Sequence, residues 1–171
     1  FIFIIAFIFG VEAGFMRVSF KKIGLAGRSR QRGFTGVLRQ LLELLETRGL
    51  EVMLEDKLGD VLPDHKLSLA TLDEIGKEAD LVIVVGGDGS MLSAARTLAK
   101  YDTPVLGVNR GRLGFLTDIT PDDIALQICA VLDGDFEQES RFLLSAEVRR
   151  DDQVLDCSNA LNDVVVNSGT S

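Results

Sequence analysis

The stretch LVIVVGGDGSMLSAARTL, residues 81–98, decides the fold of this chain of 171 residues. It opens with five consecutive apolar residues, a run that is typical of a strand buried on both faces of a sheet. A turn of three glycines and Asp88 follows, and after Ser90 the apolar residues recur at the spacing of one helical face. The stretch therefore predicts a buried strand, a tight turn and an amphipathic helix.

Asp88 is an unexpected residue at the centre of such a turn. A glycine-rich turn before a helix exposes backbone N–H groups and the positive end of the helix dipole to an anion, which a carboxylate would repel. Gly86, Gly87 and Gly89 let the backbone approach a phosphate chain closely, and Asp88 is placed to take a proton from an attacking hydroxyl or to hold Mg²⁺ or another divalent metal against the phosphates. We therefore predict that Asp88 is catalytic and that Gly86 and Gly87 bind phosphate.

A structural role is the alternative for Asp88, because aspartate also caps helices well. Ser90 is available as a cap, however, and three glycines in four positions cost chain entropy that capping does not require. No lysine follows the glycines as in a P-loop, and the dinucleotide fingerprint G-x-G-x-x-G is missing. The turn therefore indicates a phosphate site of another kind, and an ordinary hydride-transfer site is disfavoured.

A second glycine cluster, GVNRGRLGFLTD at residues 107–118, follows the next predicted strand. Loops at the carboxyl ends of neighbouring parallel strands share one crevice, so this loop should face the GGDG turn. Asn109 and Arg110 are predicted to meet phosphate, and Phe115 to stack on a flat ring of the ligand. The alternative is a long structural loop with a buried phenylalanine.

The rest of the chain alternates predicted strands and helices up to about residue 140 and then has a pattern typical of strands alone. Strands are predicted at residues 22–27, 50–55, 81–85 and 104–108. The alternation implies a Rossmann-like α/β fold, with a parallel sheet and flanking helices. From Arg141 the apolar residues recur with period two, and a hairpin turn at residues 151–153 leads into a strand pair ending in LNDVVVNSG. We therefore expect an α/β domain at residues 16–138 and the beginning of a truncated β-rich domain at residues 139–171.

The first fifteen residues are expected to stand apart as an apolar extension, residues 1–15. FIFIIAFIFG is too short for a transmembrane helix and close in length to a signal-peptide core. The chain opens without methionine or a basic flank, and Met16 begins an ordinary first strand. We therefore favour upstream read-through or an imperfect start over an export signal, and expect a cytoplasmic protein.

Composition excludes several classes of function. The net charge of −8 gives no overall basic field for nucleic acid or for an anionic membrane, and neither is an expected partner. Cys129 and Cys157 lack the paired spacing of a zinc site, and His65 is the single histidine, so we expect neither a structural metal nor a disulfide framework. A phosphate-bearing ligand must be held locally, by turns, single cations or a metal.

GGDGS is shared by NAD kinases, phosphofructokinases and diacylglycerol or sphingosine kinases. Here GGDGSML is followed by ARTLAKYDTPVLGVNRGRLGFLTDI, which resembles the NAD kinase signature almost residue for residue. RFLL at residues 141–144 and ALNDVV at residues 160–165 are similar to that family as well, and the match runs in order over residues 22–166.

The resemblance implies transfer of the γ-phosphoryl group of ATP to the 2′-hydroxyl of the adenosine ribose of NAD. It implies that Asp88 is the catalytic base, that Asp88 and Gly89 contact the dinucleotide, and that Asn162 and Asp163 bind NAD, although many members have glutamate at the last position. Small-molecule nucleotides are then the partners, and the complete protein is expected to be a homo-oligomer.

The family continues beyond residue 171 through a β-rich domain that completes both nucleotide sites. The chain therefore resembles the N-terminal portion of an NAD kinase and is expected to be inactive alone. A lipid or sugar kinase that shares the GGDG turn, and a non-catalytic NAD-binding fragment, are the alternatives. The preference for NAD or NADH, and for ATP or polyphosphate, stays open.

Overall fold

The structure is a computed structural model that describes residues 2–5, 19–28, 33–62, 66–109, 116–117 and 119–167. Seven strands of the described chain form one sheet: β1 (Ile2–Ile5), β2 (Lys22–Gly27), β3 (Glu51–Glu55), β4 (Ser68–Ala70), β5 (Leu81–Val85), β6 (Val105–Val108) and β7 (Glu137–Ser140). Their spatial order is β4-β3-β2-β5-β6-β1-β7. All neighbours pair in parallel except β7, which is antiparallel to β1. The predicted parallel α/β sheet is therefore confirmed.

Four helices of the described residues cover the sheet: α1 (Phe34–Thr47), α2 (Leu72–Glu78), α3 (Asp88–Leu98) and α4 (Ile124–Leu132). Short 3-10 turns lie at Asp56–Val61, Ala99–Tyr101 and Pro121–Asp123. The helices α1 and α4 contribute to one apolar cluster, and α2 and α3 contribute to another. The sheet is thus the middle layer of three.

The central strand β5 confirms the prediction of burial on both faces. All five of its residues are buried. Leu81, Ile83 and Val85 belong to the cluster that contains α1 and α4, whereas Val82 and Val84 belong to the cluster with α2 and α3. The unbroken apolar run is explained by this alternation, because each successive side chain enters one of two separate cores.

The hairpin predicted near residue 151 is present. Strand β8 (Leu144–Arg150) pairs antiparallel with β9 (Gln153–Ala160) in a two-stranded sheet of its own. Asp151 and Asp152 have φ angles of 49° and 63°, the left-handed values of a tight hairpin turn that aspartate tolerates. The further strand expected in LNDVVVNSG is wrong for residues 161–167, since β9 ends at Ala160. An extended segment needs a neighbouring strand to satisfy its backbone, and within the described chain these residues pair with none.

Residues 2–5 of the apolar N-terminus lie in the main sheet. Strand β1 is parallel to β6, with Phe3 opposite Val105, and antiparallel to β7, with Phe3 opposite Glu139. Four residues of the expected extension thus lie between two strands of the domain, while the boundaries at residues 15 and 138 stay predictions. Among the described helices, none has both the length and the apolar character required to span a bilayer.

Candidate functional site

The GGDG turn joins β5 to α3, and its carboxylate does not cap the helix. Helix α3 begins at Asp88, its N-cap is Gly87, and no side chain forms a capping hydrogen bond there. The first turn is closed by the backbone: the N–H groups of Ser90 and Met91 donate to the Gly87 carbonyl at 2.9 and 3.2 Å. The purely structural interpretation of Asp88 as a cap is therefore wrong, and Ser90 does not cap the helix either.

The Asp88 side chain instead contacts the second glycine loop. Its Oδ1 atom accepts a hydrogen bond from the Leu116 N–H at 3.1 Å. The turn is also joined through the backbone to the end of β6, because the Gly86 N–H donates to the Val108 carbonyl at 2.9 Å. The second loop is closed by its own backbone bond, from the Asn109 N–H to the Ile119 carbonyl at 2.7 Å. The prediction that the second loop faces the GGDG turn is confirmed.

Two glycines are required by close packing in this region. A Cβ atom on Gly86 would overlap the side chain of Ser90, at 2.6 Å from its Cβ atom. A Cβ atom on Gly107 would lie 2.6 Å from the Leu116 carbonyl oxygen and 2.9 Å from the Thr117 Cγ2 atom. These glycines hold the turn against the helix and the second loop against β6.

The other two glycines of the turn border open space. A Cβ atom on Gly87 or Gly89 would meet no described atom within 4 Å. Both residues are exposed, whereas Gly86 is buried. Because the Gly86 N–H is already paired with the Val108 carbonyl, the accessible backbone of the turn is that of Gly87 and Gly89.

A crevice of about 720 Å³ lies beside the turn, at the carboxyl ends of β2, β3 and β4. Its lining includes Gly27, Glu55, Thr71 and Ser90. The chain leaves β2 toward one side of the sheet and β5 toward the other, so the crevice adjoins the point where the strand order reverses. Ligands of open α/β sheets bind at this switch point.

Glu55 is a buried carboxylate in the wall of that crevice, and sequence reasoning missed it. The residue is 5% exposed. Its Oε2 atom accepts from the Gly27 N–H at 3.1 Å, and its Oε1 atom lies 3.2 Å from the Lys57 Nζ atom. The signal available in the sequence was a glutamate as the last residue of a predicted strand.

The crevice contains charges of both signs. Arg28 and Lys57 line it together with Glu55, Asp56 and Asp73. A hydrogen bond from Lys100, then one from the Tyr101 hydroxyl, lowers the pKa of the Asp73 carboxyl. This charge balance fits an anionic ligand that brings its own cation better than it fits a bare anion.

The other predicted site residues fall into two groups. Asn109 is buried at 5% exposure in the second loop, whereas Asn162 and Asp163 are exposed on the segment after β9. Arg110 and Phe115 lie outside the described residues. The structure therefore brings Asp88 and the two loops together and leaves Asn162 and Asp163 on a neighbouring exposed segment.

The segment after β9 lies near α3. Leu161 packs against the apolar cluster that includes Met91 and Leu116. The Arg96 Nη2 atom donates to the Ser158 hydroxyl at 2.8 Å, and a second cavity of about 420 Å³ lies between these residues. Asn162 thus directly follows Leu161, which packs on the same apolar cluster as Leu116, the residue whose N–H contacts Asp88.

Within the described chain, no three acidic, cysteine or histidine residues are grouped as a ready metal cage. Mg²⁺ is commonly held by one or two carboxylates together with substrate phosphates, so a complete protein cage is not needed for it. Asp88, at the exposed backbone of Gly87 and Gly89, fits the role of such a single carboxylate.

The fold and the turn define an open α/β domain with a crevice at the carboxyl ends of its strands and a carboxylate at its glycine turn. Residues 23–136 match the family of the ATP-NAD kinase N-terminal domain. The chain belongs to the NAD kinase family, as the motifs predicted.

Curated relatives agree with this assignment. The chain is 51% identical over 152 residues to the NAD kinase of Pseudomonas putida (strain W619), covering 89% of this chain and 51% of the relative. It is 53% identical over 150 residues to the NAD kinase of Chromohalobacter salexigens, covering 88% of this chain and 51% of the relative. The chain spans about half the length of these curated relatives.

Two solved structures have the same fold. Yeast NADH kinase complexed with NADH superposes with a TM-score of 0.69 at 15% identity, over 85% of this chain and 48% of that one. An NAD kinase from Archaeoglobus fulgidus in complex with ATP gives a TM-score of 0.50 at 21% identity, over 78% of this chain and 45% of that one. At these identities the likeness establishes the fold alone.

Proposed function

We propose that the full-length protein transfers the γ-phosphoryl group of ATP to the 2′-hydroxyl of the adenosine ribose of NAD, forming NADP and releasing ADP. The observation that carries this proposal is the Asp88 carboxylate. It lies at the start of α3 without capping it, and the Leu116 N–H holds it toward the second loop at 3.1 Å. A carboxylate oriented by a neighbouring loop at a glycine turn is suited to accept the proton of an attacking hydroxyl.

The two substrates are assigned to the two sides of the turn. The crevice beside Gly27 and Ser90 has the size of a nucleotide site and the mixed charge expected for a metal–nucleotide complex, so we assign it to ATP. The accessible backbone of Gly87 and Gly89 then faces the phosphates. NAD is assigned to the side of Asp88, with Asn162 and Asp163 as further contacts.

A divalent cation, Mg²⁺ or a similar ion, belongs to this proposal. When bound with ATP it would neutralise charge on the phosphates. Asp88 is the residue of the turn that would hold such an ion. It would do so as a single carboxylate ligand together with the phosphates of ATP, without a full set of protein ligands. The chain's own residues would orient the acceptor hydroxyl and exclude water. The Asp88 carboxylate would accept the proton of that hydroxyl.

The remaining parts of the proposal concern partners and place. We infer a cytoplasmic homo-oligomer that takes small-molecule nucleotides, in line with the family. The net charge of −8 disfavours nucleic acid and anionic membranes as partners.

The direct test is Asp88→Asn in the full-length protein. The variant should lower kcat by a factor on the order of 10²–10⁴, while affinity for NAD largely survives, because proton removal is lost and most contacts remain. Asp60→Asn is the matched control, since Asp60 is exposed and lies in the 3-10 turn after β3; it should leave kcat unchanged.

The contrary results are specific. An Asp88→Asn protein that retains wild-type turnover removes Asp88 from the mechanism. Phosphorylation of diacylglycerol or fructose 6-phosphate, with NAD left untouched, would replace the proposed acceptor with that of another kinase family.

A further inference from the structure

Thr117 is a fully buried threonine of the second loop. Its exposure is 0%. Among the described residues, its Oγ1 atom has no hydrogen-bond partner. A buried hydroxyl without a partner is unfavourable, and valine would fill the same volume without that penalty. Packing therefore explains the size of this side chain but not its oxygen atom.

Thr117 lies between two backbone contacts of the site. The preceding residue, Leu116, donates its N–H to the Asp88 carboxylate at 3.1 Å. Two residues further on, the Ile119 carbonyl accepts from the Asn109 N–H at 2.7 Å. On the sheet side, the Thr117 Cγ2 atom would be 2.9 Å from a Cβ atom on Gly107, so the methyl group is packed tightly against β6. Any shift of this segment therefore moves both the hydroxyl and the N–H that orients Asp88.

A second buried threonine shows what an ordinary structural hydroxyl looks like in this protein. Thr103 is 5% exposed, and its hydroxyl donates to the Gly76 carbonyl. That bond joins the loop before β6 to α2, so its loss would leave the Gly76 carbonyl without this donor. Thr117 differs in the one respect that matters, because the described fold supplies nothing for its hydroxyl to bond.

We propose that Thr117 is a positioning residue of the Asp88 site, whose hydroxyl gains its hydrogen bond only when a nucleotide is bound. This inference rests on the proposed function and extends it. The bound dinucleotide supplies an oxygen acceptor, toward which the 116–117 segment shifts to bring the buried hydroxyl into reach. The Leu116 N–H, which already contacts the Asp88 carboxylate without ligand, is thereby held in place for proton removal. Part of the binding free energy is thereby used to orient the base.

The experiment compares Thr117→Val, Thr117→Ser and the control Thr103→Val in the full-length protein, measuring thermal stability without ligand and affinity for NAD by calorimetric or NMR titration. Thr117→Val should leave the melting temperature unchanged or raise it, yet weaken NAD binding roughly tenfold, the effect of one hydrogen bond. Thr117→Ser keeps the hydroxyl and should retain wild-type affinity. Thr103→Val should show the reverse pattern, with a lowered melting temperature and unchanged affinity.

Each other outcome contradicts the inference. Loss of stability in Thr117→Val equal to that in Thr103→Val would show that the hydroxyl is already bonded without ligand, for instance to an ordered water. Wild-type affinity in Thr117→Val would show that the hydroxyl takes no part in binding, and weak binding by Thr117→Ser would assign the effect to the methyl group. A wild-type protein that binds no NAD would refute the proposed function itself, and the inference with it.

Discussion

Replacement of Gly107 by alanine tests the contact between β6 and the second loop. The added Cβ atom would lie 2.6 Å from the Leu116 carbonyl oxygen, closer than such atoms approach without bonding. The obstruction is backbone and cannot rotate away as the end of a side chain would. The 116–117 segment must therefore move off the sheet, and the Leu116 N–H must move with it from the Asp88 carboxylate.

The magnitude follows from two opposing effects. Overpacking of a filled interior costs about 1–3 kcal/mol. Alanine recovers about 0.4–1 kcal/mol by restricting the unfolded chain. The net loss should then be about 1–2 kcal/mol, a fall in melting temperature of roughly 2–8 °C for a chain of this length.

Gly36→Ala is the matched control for this experiment. Gly36 is exposed within α1, and a Cβ atom there would meet no described atom within 4 Å. Alanine should stabilise this helix by about 0.5–1 kcal/mol. Urea denaturation of both variants, with the amide resonance of Leu116 followed by NMR, makes the comparison. A Gly107→Ala protein as stable as the wild type, with an unshifted Leu116 amide, would refute the reasoning.

Three further predictions concern other parts of the chain. Thr71 and Glu74 form a reciprocal cap on α2, so Thr71→Ala should lower the free energy of unfolding by about 1 kcal/mol in urea denaturation. The backbone N–H of Thr71 lowers the pKa of the Glu74 carboxyl, so the cap stabilises the protein at neutral pH and this contribution is lost as the pH falls through that lowered pKa. Glu74→Gln should remove this part of the fall in the free energy of unfolding at acidic pH. An unchanged fall would contradict the assignment. Ile4→Pro should lower the melting temperature, because proline removes a backbone donor from a strand paired on both edges, whereas an unchanged value would show that β1 does not stabilise the sheet. The chain of 171 residues alone should form no measurable NADP beside the full-length protein in a coupled assay, and comparable turnover would mean that the active site is misplaced.

The main sheet was predictable where its strands are apolar. The strands β2, β3, β5 and β6 have runs of buried residues bounded by glycine or polar residues, and this pattern is visible without a structure. The strand β7 has the sequence EQES, which has no apolar face, and β4 is three residues long. Both exist because a neighbouring strand pairs with them, and pairing between distant segments leaves no local signal.

The start of α3 was predicted less well than its existence. The periodic apolar residues placed the helix after Ser90, whereas it begins at Asp88. Gly87 is the N-cap, and the helix includes Asp88 and Gly89, whose intrinsic helix propensity is poor. The local sequence could not decide between an Asp88 carboxylate that caps the helix and one that bonds to the second loop, since that depends on the position of Leu116.

Only one feature of the candidate site could be predicted from the sequence: loops that follow neighbouring parallel strands lie next to each other. That rule correctly joined the GGDG turn to the second glycine loop. It gave no reason to select Glu55, because burial of a carboxylate at a strand end depends on the Gly27 N–H and Lys57 that satisfy it. Thr117 was missed for the same reason: its burial results from the missing side chain of Gly107, on another element.

The position of Asp88 also constrains how a phosphate can bind at this turn. A negative charge in the first turn of a helix interacts favourably with the helix dipole, by about 0.3–1 kcal/mol, and the carboxylate already occupies that position in α3. A phosphate drawn to the exposed backbone of Gly87 and Gly89 therefore meets a like charge that a P-loop does not present. Phosphate binding here would therefore be favoured by a divalent cation, as the proposed function requires, with Asp88 as a residue that would hold it. Under the proposed function, the same carboxylate that makes the turn a poor site for a bare anion would favour a metal–nucleotide complex there.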